Sequence, residues 1–200
     1  MRLAPFGLKP EISVVVPCFN EEAVLRETAR RLTATLEQMG SPFEIICVDD
    51  GSKDATARVL AELHTSDPRL RVVRLSRNFG HQIAITAGLE FARGSAVIVI
   101  DADLQDPPEV IPDLVEMWKQ GYDVVYGTRR HRDGETAFKM VTAKWFYRFI
   151  NRLSDVPIPL DSGDFRLLDR SSLRPLGWLV LEAGKAIAWI FDLRTAFATN

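Results

Sequence analysis

The sequence has few of the features that mark several common classes of protein. It contains only two cysteines, Cys18 and Cys47, which are too few for a framework of disulfide bonds. Both fall at the ends of predicted strands, so we expect buried free thiols, as in a reducing compartment. The formal net charge is only −2, which leaves no electrostatic case for nucleic acid as the main partner.

Long apolar runs are also missing. The N-terminus has a single arginine and no apolar core long enough for a signal peptide. No uninterrupted apolar segment approaches the roughly 20 residues that a bilayer-spanning helix needs. The longest candidate, 176–197, is interrupted by Glu182, Lys185, Asp192 and Arg194. We therefore predict no transmembrane span in this chain.

Several nucleotide-binding and catalytic signatures are absent as well. The loop after the first predicted strand, 17–20, has no glycine, which excludes the Gly-x-Gly-x-x-Gly turn of dinucleotide folds. The phosphate loop Gly-x-x-x-x-Gly-Lys-Ser/Thr does not occur. Serine nucleophile elbows and the Cys/His spacings of zinc sites are missing too.

Strand and helix signals alternate over residues 12–127. Short apolar, β-branched runs predict strands, and the longer segments between them predict helices. Such alternation predicts an α/β fold with a mostly parallel sheet covered by helices. Beyond a polar loop at 127–135 we expect a helical stretch, 136–153, a short strand, 165–168, and a helix-like apolar tail. The strands predicted in the alternating part are 12–16, 43–48, 70–75, 96–100 and 123–126.

The most informative stretch is 96–108. It begins with an apolar run that suits a strand buried on both faces. Asp101 and Asp103 follow at once, and open α/β sheets bind ligands at the carboxyl ends of their strands. Neighbouring carboxylates repel each other unless a cation lies between them, and they suit Mg²⁺ or Mn²⁺ that also holds substrate phosphates. The plainer alternative is a strand-ending acid followed by a helix that Asp106-Pro-Pro opens.

Two other predicted strands also end in polar loops. Asp49 and Asp50 follow the second strand and are suited to accept hydrogen bonds from a nucleobase or from ribose hydroxyls; the alternative is an ordinary Asp-Gly turn. Pro17, Phe19 and Glu21 follow the first strand and are expected to wall the same pocket. Their alternative is a proline-terminated strand and a capped helix.

Six motifs then occur in one order: SVVVPCFNEE, CVDDGSKDAT, LSRNFGHQIAITAGLEFARG, VIVIDADLQDPPEVI, GTRR and SGDFRLLDR. Together they resemble the family-two glycosyltransferases of GT-A fold. Within that family they look most like the polyprenyl-phosphate sugar transferases, which include dolichol-phosphate mannose synthases and undecaprenyl-phosphate glucosyltransferases. The Gln-x-x-Arg-Trp signature of the processive polysaccharide synthases is absent. The resemblance implies a catalytic domain over about 11–174, followed by an unrecognised apolar tail, 175–200.

The resemblance also implies roles for the matching residues. The nucleoside end of a sugar nucleotide would be lined by Pro17, Phe19, Glu21, Val48 and Asp50. Asp101, Asp103 and Gln105 would hold Mg²⁺ or Mn²⁺, and Ala102 would touch the donor. The residues implied near the reacting centre and the acceptor are Arg129 and Lys139 at phosphate, Asp164 on the acceptor side, and Asp103 with Asp164 and Arg129 as the catalytic set.

The implied reaction moves one sugar, with inversion, from a nucleoside-diphosphate sugar of the UDP-glucose or GDP-mannose type to a polyprenyl phosphate. The aromatic and basic residues over 138–149 suit a membrane interface and an anionic headgroup, so we expect a peripheral protein at the cytoplasmic face. An amphipathic helix packed on the domain is the alternative there. For the whole chain, the alternatives are a nucleotidyltransferase, or a truncated or inactive sugar-nucleotide-binding remnant with a shortened membrane-proximal tail.

Overall fold

The computed structural model describes residues 9–128, 162–173 and 195–199. The strands are β1 (Ile12–Cys18), β2 (Phe43–Asp49), β3 (Leu70–Arg74), β4 (Ala96–Val99), β5 (Val124–Thr128), β6 (Ser162–Asp169) and β7 (Thr195–Thr199). The helices are α1 (Leu25–Met39), α2 (Thr56–Ser66), α3 (His81–Phe91), α4 (Ile111–Lys119) and the short α5 (Arg170–Leu173), with a 3₁₀ turn at Pro108–Val110. The predicted Arg129, Lys139 and helical stretch 136–153 lie outside these residues.

The strands form one seven-stranded sheet in the order β3-β2-β1-β4-β6-β5-β7. The first four are parallel, because a helix crosses over between each strand and its successor in the chain. Strand β6 lies between β4 and β5 and is antiparallel to both. The prediction of a mostly parallel, helix-covered α/β sheet is confirmed, and β6 is its antiparallel member.

The tail departs from the prediction at residues 195–199. These residues were expected to be helix-like, but they form β7, which pairs in parallel with β5. A run of five uncharged residues, Thr-Ala-Phe-Ala-Thr, is compatible with either structure locally. The open backbone edge of β5 decides the outcome, because an edge strand presents unsatisfied hydrogen-bonding groups to any extended segment.

The core lies on both faces of the sheet. Alternate residues of each strand pack against α1, α2 and α4 on one face and against α3 on the other. Gly88 lets α3 approach closely, since a Cβ there would come within 2.2 Å of Val15 Cγ1. Each fully buried Val, Leu or Ile side chain contributes roughly 1.5–3 kcal/mol by leaving water. Residues buried on the first face include Val14, Val16, Ile45 and Ile98, and those on the second include Val15, Ile46, Val97 and Val99.

At the amino edge of the sheet, the carboxylate of a buried glutamate is satisfied by several hydrogen-bond donors. The Glu44 side chain is 2% exposed. Its carboxylate accepts hydrogen bonds from Ser13 Oγ at 2.7 Å, from Arg71 Nη1 at 2.9 Å, and from the backbone N–H and guanidinium of Arg93 at 2.8–3.0 Å. Burial alone raises the pKa of Glu44, but these hydrogen bonds outweigh it and hold the pKa below its usual value.

The carboxyl edge gathers the loops that follow β1, β2, β3 and β4. Strand β5 also ends there, and the antiparallel β6 begins there. Both cysteines are buried free thiols, as predicted. Within the described ranges, no helix combines the length and apolarity that crossing a membrane requires.

Candidate active site

The loops at the carboxyl edge enclose a pocket of about 290 Å³. Seven of the predicted site residues line it, and four further residues line it that were given no role from the sequence. Val48 is buried beneath the pocket, Gln105 is exposed beside it, and neither belongs to its lining. The seven are Pro17, Phe19, Glu21, Asp50, Asp101, Ala102 and Asp103, and the four are Cys18, Asn78, His81 and Ala84.

Asp101 lies two residues beyond the end of β4. Its Oδ1 atom is buried and has no hydrogen-bond partner among the described residues; the nearest cationic group is His81 Nε2, at 3.6 Å. Burial raises the pKa of Asp101, and repulsion from Asp164 and Asp103 adds to this, although His81 opposes it. A carboxylate that is costly to ionise here gains most from a bound cation.

The loop after Asp101 is anchored by its backbone. The carbonyl of Ala102 accepts a 2.6 Å hydrogen bond from Thr28 Oγ1 of α1. Asp103 is exposed, and its Oδ1 accepts the N–H of Gln105 at 3.0 Å. Leu104 has a left-handed φ of 61°, which lets the chain turn sharply after Asp103. The loop thus presents Asp101 and Asp103 to the pocket while its backbone is fixed to α1.

The loops after β1 and β2 are joined to each other. The N–H of Asn20 donates to Ser52 Oγ at 3.0 Å, and the Asn20 amide oxygen accepts from the N–H of Lys53 at 2.9 Å. The N–H of Glu21 donates to Thr56 Oγ1 at 2.8 Å. Burial, followed by repulsion from Asp103 and Asp101, raises the pKa of Glu21.

Asp49 and Asp50 have different surroundings, because successive side chains of a strand point to opposite faces. The Asp50 carboxylate lines the pocket and accepts the N–H groups of Phe79 at 2.8 Å and Gly80 at 2.9 Å. Asp49 accepts the N–H of Ser52 at 2.9 Å and does not line the pocket. The contact of Asp49 is thus the one that the turn interpretation predicts, and the nucleoside-binding interpretation has no support from the pocket lining.

The loop after β2 approaches the loop after β3 very closely at Gly51. Its φ is +66°, and a Cβ there would come within 2.4 Å of the Arg77 carbonyl carbon. Only glycine fits this conformation and this contact. The close approach brings the Asp50 carboxylate to the backbone of the segment that leads into α3.

The antiparallel pairing of β6 brings Asp164 into contact with the pocket residue His81, although Asp164 is not itself part of the pocket lining. Val99 of β4 pairs with Arg166 of β6, so two residues further along each antiparallel strand Asp101 stands opposite Asp164. This juxtaposition depends on a non-local strand register that the local sequence does not reveal. Its observed consequence is that the acid on β6 joins the acids that follow β4.

His81 is a pocket residue that the sequence-based reasoning missed. Its Nε2 lies 2.9 Å from Asp164 Oδ2 and 3.6 Å from Asp101 Oδ1. The hydrogen bond to Asp164 raises the pKa of His81, against the effect of burial. The same bond lowers the pKa of Asp164, with help from Arg166. One available signal was its position as a titratable residue opening the helix that follows a strand end at the same sheet edge.

The donor set of the pocket fits a divalent cation. Ligand atoms of His81, Asp101 and Asp164 lie within 4.8 Å of one another; Asp103, a predicted ligand, lines the same pocket but is not part of this group. Carboxylate oxygens suit Mg²⁺ and Mn²⁺. The buried Asp101 Oδ1 without a hydrogen-bond partner is the observation that carries this fit.

Comparisons with known proteins agree with this geometry. The sequence profile described as Glycosyl transferase family 2 matches residues 13–177. An uncharacterized glycosyltransferase, YkcC of Bacillus subtilis, is 52% identical over 160 residues, covering 80% of this chain and 50% of that protein. The bactoprenol glucosyl transferase of Shigella phage SfV is 44% identical over 160 residues, covering 80% and 52%. The chain thus spans about half the length of the curated relatives it matches.

A solved structure shares the fold. It is glucosyl-3-phosphoglycerate synthase from Mycobacterium tuberculosis, crystallised with Mn²⁺, UDP and phosphoglyceric acid. The TM-score is 0.70 at 23% sequence identity, covering 95% of this chain and 68% of the other. At that identity the likeness concerns the fold alone.

Proposed function

Because the chain belongs to glycosyl transferase family 2, we propose that it transfers a sugar from a nucleoside-diphosphate sugar to a polyprenyl phosphate. The GT-A-type α/β fold predicted from the sequence is confirmed. Relatives that are 43–44% identical are named bactoprenol glucosyl transferases, which favours a polyprenyl lipid as acceptor and a glucosyl nucleotide as donor. UDP-glucose is the first donor to test and GDP-mannose the second.

The observation that carries the proposal is the surplus of acid at the carboxyl edge. Glu21, Asp101 and Asp103 line one pocket, Asp164 contacts its His81, and the buried Asp101 Oδ1 has no hydrogen bond within the described chain. Structural acids are normally satisfied by hydrogen bonds or cations when buried. A buried oxygen that lacks them, such as Asp101 Oδ1, fits a site whose cation arrives with an anionic substrate, such as a diphosphate.

On the donor side, each group has a chemical task. Bound Mg²⁺ or Mn²⁺ supplies positive charge that stabilises the diphosphate leaving group. Asp101 and Asp103 hold that ion, assisted by Gln105. Ala102 forms the floor beneath the donor. Pro17, Phe19 and Glu21 wall the nucleoside end, above Val48 and beside the Asp50 carboxylate.

On the acceptor side, the proposed group is Asp164. Its hydrogen bond to His81 keeps the pKa of this carboxyl low, so it is ionised at neutral pH. A lipid phosphate is already anionic there and needs no strong general base. Asp164 therefore orients the acceptor or stabilises the positive charge that develops on the sugar. A single displacement of this kind inverts the anomeric carbon.

The acceptor phosphate is proposed to meet Arg129 and Lys139, which lie outside the described residues. The basic and aromatic segment 138–149 is the basis for proposing peripheral attachment at the cytoplasmic face of a membrane. Basic side chains that bind phosphate groups would account for both the acceptor site and the membrane attachment.

The test is a transfer assay with UDP-glucose or GDP-mannose, undecaprenyl phosphate, and Mg²⁺ or Mn²⁺. We expect a nucleoside diphosphate and a glycolipid as products, and loss of about 10²-fold or more in turnover for Asp103→Ala. Glu109→Gln, which removes an exposed acid paired with Arg31 away from the pocket, is the matched control. Unchanged turnover in Asp103→Ala would refute the metal role. Pyrophosphate release from a nucleoside triphosphate would identify a nucleotidyltransferase instead.

A further inference from the structure

The proposed transfer gives no separate role to the imidazole of His81, which lies in the pocket among the candidate cation-binding groups. Its Nε2 is hydrogen-bonded to Asp164 at 2.9 Å and lies 3.6 Å from Asp101. Asp101 follows β4 and Asp164 lies on β6, so one nitrogen contacts the acid proposed for the donor side and the acid proposed for the acceptor side. Within the described residues, His81 is the group that touches both.

The position of His81 is fixed by several independent contacts. The Asp50 carboxylate accepts the N–H groups of the two preceding residues, Phe79 and Gly80. Gly80 adopts a φ of 101° as the chain enters α3. Further along, α3 packs on β1 through Gly88. The imidazole is therefore set by a buried carboxylate on one side and by a packed helix on the other.

Asp164 is in turn held by His81, by Arg166 and by a hydrogen bond from the Gln82 side chain. His81 Nε2 binds Oδ2, and Arg166 Nη2 lies 3.9 Å from Oδ1. The Arg166 side chain is buried, whereas those of His81 and Asp164 are 43% and 30% exposed. An ion pair of that exposure contributes little to stability. Its effect is geometric, because it fixes the distance between two carboxylates that would otherwise repel each other.

We propose that His81 is a positioning residue that holds Asp164 in register with Asp101, so that the acceptor meets the sugar while the donor is bound. This assignment rests on the proposed sugar transfer and adds a residue to it. Asp50 acts in the same chain of contacts, since its carboxylate holds the backbone that carries the imidazole. A displacement of about 1 Å at the reacting groups costs up to roughly 100-fold in rate.

The kinetic test compares His81→Ala with His81→Gln. A glutamine amide presents an N–H near the position of Nε2, and an alanine does not. We expect His81→Ala to lower kcat by roughly 10- to 100-fold while the KM for the sugar nucleotide changes by less than about threefold, and His81→Gln to recover most of the loss. Ile83→Ala, half exposed on the same helix, is the control with wild-type kinetics. Equal losses in His81→Ala and His81→Gln, or a loss confined to KM, would refute the assignment.

A double-mutant cycle isolates the coupling. With His81 acting through Asp164, the double variant His81→Ala/Asp164→Asn should be no slower than Asp164→Asn alone. A loss of kcat in the double variant equal to the product of the two single losses would show that His81 acts independently of Asp164, and would overturn the proposal.

A spectroscopic test needs neither metal nor turnover. The chain has three histidines, so the imidazole ¹H–¹⁵N correlations can be assigned by substitution. We expect a protonated, slowly exchanging His81 Nε2 whose signal shifts in Asp164→Asn while that of His64 does not. If the wild-type protein transfers no sugar but shows this signal, the proposed function fails and the contact stands. If transfer proceeds but the His81 signal is unchanged in Asp164→Asn, the positioning role is refuted and the proposed function is not.

Discussion

The two edges of the sheet surround buried carboxylate oxygens in opposite ways. At the amino edge, Glu44 receives hydrogen bonds from Ser13, Arg71 and Arg93. At the carboxyl edge, the buried Oδ1 of Asp101 receives none from the described residues and faces other acids. The difference teaches that the first edge satisfies its acid within the fold, whereas the second leaves one carboxylate oxygen unsatisfied, as the proposed cation site requires, at a cost in stability.

The largest expected effect comes from a substitution at the carboxyl edge, which should lower the transfer rate without destabilising the fold. Asp101→Asn removes a charge that burial and neighbouring carboxylates make unfavourable, so we expect equal or higher thermal stability. We expect kcat to fall by about 10³-fold, because the proposed metal-holding charge is lost. Thermal unfolding and steady-state transfer, measured on one preparation, check both halves. A destabilised protein with intact turnover would reverse the comparison.

A substitution at the amino edge should have the converse effect, lowering stability and leaving turnover unchanged. Glu44→Ala leaves Ser13, Arg71 and Arg93 without their acceptor, so we expect the free energy of unfolding to fall by about 2–3 kcal/mol. Turnover per folded molecule should not change, because Glu44 lies at the far end of the strands. Denaturant unfolding measures the loss. The matched control is Glu62→Ala, which removes an acid from an exposed ion pair with Arg26 and should cost about 0–1 kcal/mol.

A divalent cation should stabilise the protein through the carboxyl edge and not through the amino edge. Mn²⁺ relieves the repulsion at the carboxyl edge, so at ten times its Kd it should stabilise the folded protein by about 1.4 kcal/mol. Calorimetric unfolding with and without Mn²⁺ checks this. Asp101→Asn should abolish the gain, and Glu44→Ala should keep it. A gain of equal size in all three proteins would indicate binding elsewhere.

The smallest effect concerns pH, and it has opposite signs at the two edges. The hydrogen bond to Asp164 raises the pKa of His81, so its stabilisation is complete below the unfolded pKa near 6.5 and is lost as pH rises through the folded pKa. The pKa of Glu44 is lowered, so its stabilisation is present above about pH 4.5 and is lost on acidification.

Since His81 and Asp164 are partly exposed, we expect only a few tenths of a kcal/mol from their pair. The stability of His81→Gln should vary less than that of the wild type between about pH 6 and pH 8. Chemical unfolding across that range measures the difference. Identical pH profiles would show that the pair contributes nothing to stability, without affecting the kinetic tests.

Local sequence signals were sufficient to expect that the residues after β1, β2 and β4 lie close together. The apolar run ending before Asp101 required a buried strand, and Pro17 and Asp50 followed strands of the same kind. Parallel strands bring such endings to one edge, so proximity followed from the strand order alone. The alternation of side chains along β2 was also sufficient to separate Asp49 from Asp50, although the sequence-based reasoning did not use it.

The positions of Asp164 and His81 could not be predicted in this way. Asp164 meets Asp101 only through the register of an antiparallel strand, and β7 forms because β5 offers an open edge. His81 gains its contacts from both of these distant acids. Such features depend on pairings between segments far apart in the chain, which no local pattern of residue types encodes.

The hydrogen bonds between the pocket loops have a consequence for donor recognition. Asn20 ties the first loop to the second through Ser52 and Lys53, and Asp50 ties the second to the third. The loops are therefore ordered when the protein folds. The binding of a sugar nucleotide would not have to compensate for that loss of conformational entropy. Among the described residues the three loops are already joined to one another, so for the proposed sugar nucleotide they form a preorganised wall.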